Sequence, residues 1–258
     1  MNFFNLPLPQ VQAVVLIFIR ISAILVSAPL FGSKNVPVQM KAGLSCALTI
    51  AVLPVIGFRE VYLTGVPSLV SAMLGEILIG IIIGFTARLI FAAVQLAGQL
   101  VGFQMGFGIV NVMDPQTSTQ VAIIAQFQNI ITLLVFLALD AHYWFILSIA
   151  KSFELIPPLG FCFTDSLMEA IVRLSCDMFV VAAKLAAPII AALLFTSMAL
   201  GLIARTVPQM NIFIVGFPLK IAIGLLGVGF SLPLLSYMLR NIFQEMGEDI
   251  MVLMKLMV

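Results

Sequence analysis

Charge is what this sequence has least of. Only 9% of its 258 residues are Asp, Glu, Lys or Arg, against about 25% in an ordinary soluble domain. With 62% of the residues hydrophobic, the chain cannot cover a water-facing surface. Its mean hydropathy of +1.22 places it among integral membrane proteins. No basic tail or Lys/Arg run occurs, which excludes nucleic acid as a partner. Cysteine is scarce as well. Cys46, Cys162 and Cys176 are odd in number and far apart, so neither a disulfide framework nor a metal cluster is expected. The single histidine, His142, stands beside Tyr143 and Trp144 and is expected at a membrane interface rather than in a metal site. The sequence holds no P-loop, no GxSxG, no HExxH and no Cys–His–acid arrangement. The expectation is a protein that is not an enzyme and carries neither cofactor nor metal. The opening "MNFFNLPLPQ" has no basic n-region and no small-residue cleavage site, so it is expected to be retained.

What the sequence does have is long apolar runs. A helical span takes about 20 mostly apolar residues. Six segments qualify, at about 11–31, 38–57, 67–101, 121–147, 175–204 and 211–239. Long apolar runs without alternation make them helices, because backbone groups in lipid must be satisfied within the segment. The fold class is therefore all-α, a polytopic membrane-type protein of about six long, partly kinked helices. Punctuation falls between the runs, in "GSKNVP", "ELIPPLG" and "RTVPQMN". One membrane domain, 1–258, is expected, with a short amphipathic helix at about 241–258. Orientation is undecided. With the N-terminus outside, Lys34, Lys41 and Arg205 fall inside, and Arg59, Lys151, Arg240 and Lys255 outside, so the positive-inside rule favours neither direction.

Several charges lie within the apolar runs, among them Arg20, Glu76, Arg88, Asp140, Lys184 and Lys220. Lys184 and Lys220 are near span ends and can snorkel. Asp140 precedes an aromatic belt and marks the end of a span. Arg20, Glu76 and Arg88 are harder to place, since a charge at a span centre costs about 2.5–3.5 kcal/mol. Glu76 and Arg88 are too far apart along one helix to pair, about 18 Å. Either these charges line a polar route, or the helices do not sit in lipid as their hydropathy suggests. Pro29, Pro54, Pro188, Pro218 and Pro233 fall within or at the ends of apolar runs and bend them. Gly80 and Gly84 form one small-xxx-small pair, and Gly98, Gly102 and Gly106 a second ridge, faces that let helices approach closely. With Gln95, Gln99 and Gln104 they point to a third helix buried against protein. The chain has 14 methionines. The cluster Met246, Met251, Met254 and Met257 reads as a docking face.

Between the third and fourth runs lies "GFQMGFGIVNVMDPQTSTQ", residues 102–120. It holds one charge, Asp114, and no Lys or Arg. Four stretches then occur in order: "FIRISAILVSAPLFGSKNVPVQMKAGL", "GEILIGIIIGFTARLIFAAVQLAGQLVGFQMGFGIVNVMDPQ", "LALDAHYWFI" and "VPQMNIFIVGFPLKIAIGLL". Together they resemble the FliR family of flagellar type III export-gate proteins, related to the SctT proteins of injectisomes, from about residue 15 to about 240.

The resemblance implies a non-enzymatic channel subunit of the bacterial inner membrane, at the flagellar basal body. It implies assembly with FliP-like, FliQ-like and FlhB-like subunits into a gate for exported unfolded proteins, much of it lifted from the bilayer plane. It also maps a loop that plugs the resting channel onto Gly106 through about Ser118. In that loop Gly106 and Gly108 would permit movement. Phe107, Ile109, Val110, Val112 and Met113 would exclude water. Asn111, Asp114 and Pro115 complete it, with Thr117, Ser118 and Thr119 offering caps to the next helix. An injectisome gate subunit is the alternative. A small-solute secondary transporter would suit the buried charges, but residues 1–120 and 121–258 show no internal repeat. An intramembrane enzyme lacks any nucleophile–base pair.

Overall fold

Proline sets both ends of the first helix. The structure, a computed structural model, describes residues 7–29, 31–32, 36–56, 65–107, 123–209 and 211–258. Helix α1 runs Leu8–Ser27, with Pro7 at its N-cap and Pro9 in its first turn, where a missing N–H has no partner to lose. Pro29 forces Ala28 out of the helix, to φ −65° and ψ 138°, because its ring crowds the preceding residue.

Six helices follow among the described residues: α2 Val38–Ile56, α3 Val66–Met105, α4 Ile123–Ala138, α5 Tyr143–Leu155, α6 Asp165–Thr206 and α7 Ile212–Leu256. No strand occurs among the described residues, so the all-α expectation holds. Among the described residues, four helices are long and apolar enough to cross a membrane, or five if α4 and α5 form one broken span.

The elements depart from the sequence reading in three places. First, α3, α6 and α7 have 40, 42 and 45 residues. At about 1.5 Å per residue they are roughly twice as long as a bilayer core of about 30 Å. Hydropathy ends where charge begins, as at Glu169, Arg173 and Asp177, but these residues permit helix and no breaker separates them. Second, the run at 121–147 is two helices. Asp140, at φ +52°, turns the chain in the left-handed region that Asp tolerates better than most, and its carbonyl accepts from the Tyr143 N–H at 2.9 Å. Third, no separate helix starts near 241, because α7 continues unbroken. The face of its last turns is covered by the chain itself, since Met246, Met254 and Met257 are buried. Gly247 faces the Trp144 ring so closely that a Cβ there would lie 2.6 Å from it.

The chain divides into two compact units. One holds Met1–Leu89, Asp140–Leu174 and Phe243–Val258; the other holds Ile90–Leu139 and Ser175–Ile242. In the first, α1 packs on α2 and both pack on α5. The end of α7 is closed there by residues before α6: the Cys162 N–H donates to the Met257 carbonyl and the Thr164 hydroxyl to the Leu256 carbonyl, both at 2.8 Å. In the second, the Phe91 and Phe136 rings meet edge-on at 5.8 Å, tying α3 to α4. Buried hydroxyls bond back along their own helices, Thr49 to the Ser45 carbonyl at 2.7 Å and Thr132 to the Gln128 carbonyl at 2.8 Å. That is how Ser and Thr are satisfied without a partner helix.

Candidate functional site

Arg20 gathers contacts from two other helices of the first unit. It is fully buried and Glu76 is 2% exposed. Its Nε and Nη2 both donate to the Glu76 carboxylate, the second at 3.0 Å, a two-pronged geometry that only a guanidinium offers. Its Nη1 donates to the carbonyls of Ser152 at 2.7 Å and Ile156 at 3.1 Å. These belong to the end of α5, where the Ser152 carbonyl also accepts from the Ile156 N–H at 2.9 Å and the helix dipole favours a cation. The Phe153 ring covers the guanidinium carbon at 4.2 Å. One side chain therefore joins α1, α3 and α5. Arg88 does related work from an exposed position: its Nη2 donates to the Val26 carbonyl in the last turn of α1 at 3.2 Å.

The charges found at span centres thus have an account beyond the two the sequence suggested. Arg20 and Glu76 satisfy each other inside the chain. A cleft of about 350 Å³ is lined by Gly75, Glu76, Leu78, Leu159 and Phe161, among others. Its carboxylate is already engaged by Arg20, so it offers no acid–base pair. No group of three His, Cys, Asp or Glu among the described residues could hold a metal.

The first glycine pair lies on the same contact. A Cβ on Gly80 would come 2.9 Å from the Ile24 nitrogen, and one on Gly84 2.8 Å from the Ser27 carbonyl carbon. The Ser27 hydroxyl also donates to the Gly80 carbonyl at 2.9 Å. Arg20 meets Glu76 at a separation of 56 residues, and Ile24 meets Gly80 at the same offset (80 − 24 = 56). A constant offset means that α1 and α3 run parallel. Helix α2 must therefore carry the chain back between them.

The second ridge lies in the other unit. A Cβ on Gly98 would come 2.5 Å from the Ala125 Cα of α4 and 2.8 Å from the Gln128 Oε1. That oxygen is buried and has no hydrogen-bond partner among the described residues. Gly102, one turn on, brings no described residue within 4 Å of such a Cβ.

Gly106 ends α3. Its φ is +97°, its N–H donates to the Phe103 carbonyl at 3.1 Å, and the Phe107 N–H donates to the Gly102 carbonyl at 3.2 Å. This is a glycine-terminated helix cap. The Phe217 ring fills the place of the missing Cβ, its nearest atom 2.8 Å from it. Gly108, Ile109, Val110, Asn111, Val112, Met113, Asp114 and Pro115, with the capping residues to 119, lie outside the described residues.

Residues 11–246 match the family described as bacterial export proteins, family 1. The chain is 37% identical over 243 residues to the flagellar biosynthetic protein FliR of Bacillus subtilis (strain 168), covering 90% of each chain. The chain belongs to the FliR family. It is also 34% identical over 231 residues to FliR of Pectobacterium carotovorum, covering 90% of this chain and 88% of that one. Against FliR of Escherichia coli (strain K12) the figure is 32% over 227 residues, covering 88% and 87%. The FliR-family match therefore extends over both compact units, and the motif resemblance is correct at the level of the family.

Sequence reasoning found Arg20 and Glu76 separately but not as a pair, and missed Ser152, Phe153 and Ile156. Carbonyls carry no sequence signal, since every residue has one. It also missed Ala23 and Ser27, the α1 side of the glycine contact, and Phe217. Small residues at 23 and 27, one turn apart, were the available hint for the first two.

Proposed function

We propose that this chain is a channel subunit of the flagellar type III protein-export gate in the bacterial inner membrane. It assembles with FliP-like, FliQ-like and FlhB-like subunits and helps form the path for unfolded flagellar proteins. The observation that carries this reading is the extent of the match: 90% of the chain aligns with a flagellar biosynthetic relative at 37% identity. The bare apolar faces of α6 and α7, only 28% and 17% buried over their most apolar windows, support a subunit that is covered by others. In this reading residues 106–118 plug the resting channel by apolar packing. The glycine cap that stops α3 at Gly106, and the apolar sequence from Phe107 to Met113, support it.

Two measurements test the proposal. The tagged chain is recovered in mild detergent and its companions are identified; recovery alone, without FliP-like or FliQ-like subunits, sinks the assembly. The loop is shortened within 109–116 and membrane ion conductance is measured. An increase supports the plug, and an unchanged conductance in an assembled complex removes it.

A further inference from the structure

The first unit carries exposed charge on some of its helices and almost none on others. Glu154 lies at the end of α5, Asp165 and Glu169 open α6, and Glu245, Glu248 and Lys255 lie on the last turns of α7, all of them exposed. Helix α1, and α3 as far as Ala87, hold two charges, Arg20 and Glu76, and both are buried. Helix α2 holds one, Lys41, near its start. What these three helices expose is apolar, as at Val11, Val15, Val26, Ile50, Leu74 and Ile81.

The two groups of helices meet at one depth. Helix α1 has 20 residues, about 30 Å, the thickness of a bilayer core, and Arg20 lies about 4 Å from its midpoint. At that level its guanidinium takes the Ser152 and Ile156 carbonyls at the end of α5. A Cβ on Gly75, beside Glu76, would come 3.4 Å from the Phe161 Cβ. Next to Phe161, the Cys162 N–H and the Thr164 hydroxyl hold the last carbonyls of α7, and Thr164 also accepts from the Leu167 N–H of α6 at 3.2 Å. The end of α5, the turn at 157–164, the start of α6 and the end of α7 therefore stand beside the centre of α1. In lipid that depth is about 15 Å from water on either side, and Asp165 has no long stem with which to reach it. Irregular backbone and charge at such a depth require protein or a water-filled cavity against them.

We infer that the first unit has two walls: α1, α2 and α3 face lipid, and the surface formed by the end of α5, the start of α6 and the end of α7 lines a water-filled space at mid-bilayer depth. Phe163 and Met168 are exposed on the water wall as well, so that wall is mixed, while the lipid wall is almost uniformly apolar. The inference rests on the membrane placement proposed above and not on the plug.

The test uses the full chain, recovered with its companions and reconstituted into phospholipid vesicles. Cys46 of α2 and Cys162 of the turn are both exposed and free, one on each wall. Single-cysteine chains keep one of them, with the other cysteines replaced by Ser, and carry a small fluorophore there. Phospholipid with a nitroxide midway along its acyl chain quenches from lipid, and iodide quenches from water. The nitroxide is expected to quench several-fold more strongly at Cys46 than at Cys162, and iodide several-fold more strongly at Cys162. Every other pattern overturns the inference. Iodide quenching at both sites puts the unit outside the bilayer, nitroxide quenching at both puts the turn in lipid, and a site that neither reaches is sealed by protein. Where a label blocks assembly, Ile50→Cys stands in for Cys46 and Ser166→Cys for Cys162, both exposed positions, with the same outcomes. If companions copurify and the pattern fails, this inference alone falls. If none copurifies, the assembly reading falls, and the same comparison on the chain alone in vesicles decides this one.

Discussion

Helices α3 and α7 are close in length and both pass as membrane spans, yet they live in different surroundings. The most apolar window of α3 is 61% buried by its own chain, and that of α7 only 17%. Glycine content does not explain this, because both helices carry several. Particular positions illustrate the two settings, and α7 has its own close contacts where Gly224 meets Met105 and Gly247 meets Trp144. Gly80 and Gly84 meet Ala23 and Ser27, and Gly98 meets Ala125. On α7, Gly229 meets no described residue within 4 Å, while Leu226, Phe230 and Tyr237 stand exposed. An apolar stripe declares that a helix needs cover. It does not say whether the cover is its own chain, another subunit or lipid.

The strongest way to break the contrast is to attack what holds α3 from within. Glu76→Ala leaves a buried guanidinium without its counter-charge and is expected to cost about 3–5 kcal/mol, read as unfolding of the purified chain in detergent. Arg20→Met combined with Glu76→Leu is expected to recover most of that loss, since a buried pair can be replaced by apolar packing. A single variant as stable as the parent would mean that the junction is not closed in the membrane.

Smaller losses should follow the glycines. Gly84→Val drives carbon into Ser27 and is expected to cost about 1–3 kcal/mol. Gly229→Val on α7 should stay within about 0.5 kcal/mol. Equal costs at the two sites would erase the distinction between the helices. The second ridge sharpens it further. Gly98→Ala should destabilise the isolated chain and Gly102→Ala should not, by the same unfolding assay.

The smallest effect on the chain, and the most telling for the assembly, belongs to Phe230, 83% exposed. Phe230→Ser is expected to leave the stability of the isolated chain unchanged within about 0.5 kcal/mol while reducing recovery of the companion subunits. If recovery is unaffected, lipid rather than protein covers that face.

Much of the fold was legible in the sequence, and the remainder has physical reasons for being hidden. Pro7 and Pro29 mark the ends of α1 through backbone sterics that act between neighbours. Gly80, Gly84 and Gly98 announce close approach through spacing alone. Glu76 could not be matched to Arg20, because 56 residues separate them and no local rule reaches that far. The true lengths of α6 and α7 were hidden for another reason: hydropathy measures the preference for lipid, and a helix continues wherever propensity allows. Gly106 was visible as a turn, but the Phe217 ring that occupies its open side comes from a distant helix.

The Arg20 junction also sets a timetable for biosynthesis. Its partners on α5 lie 132 and 136 residues downstream. A ribosome adding about 5–20 residues per second delivers the last of them roughly 7–27 s after Arg20 itself. Throughout that interval α1 carries a cation with an unfinished set of acceptors. The first helix made must therefore wait at a polar margin, or under the protection of the insertion machinery, until the chain supplies what completes it.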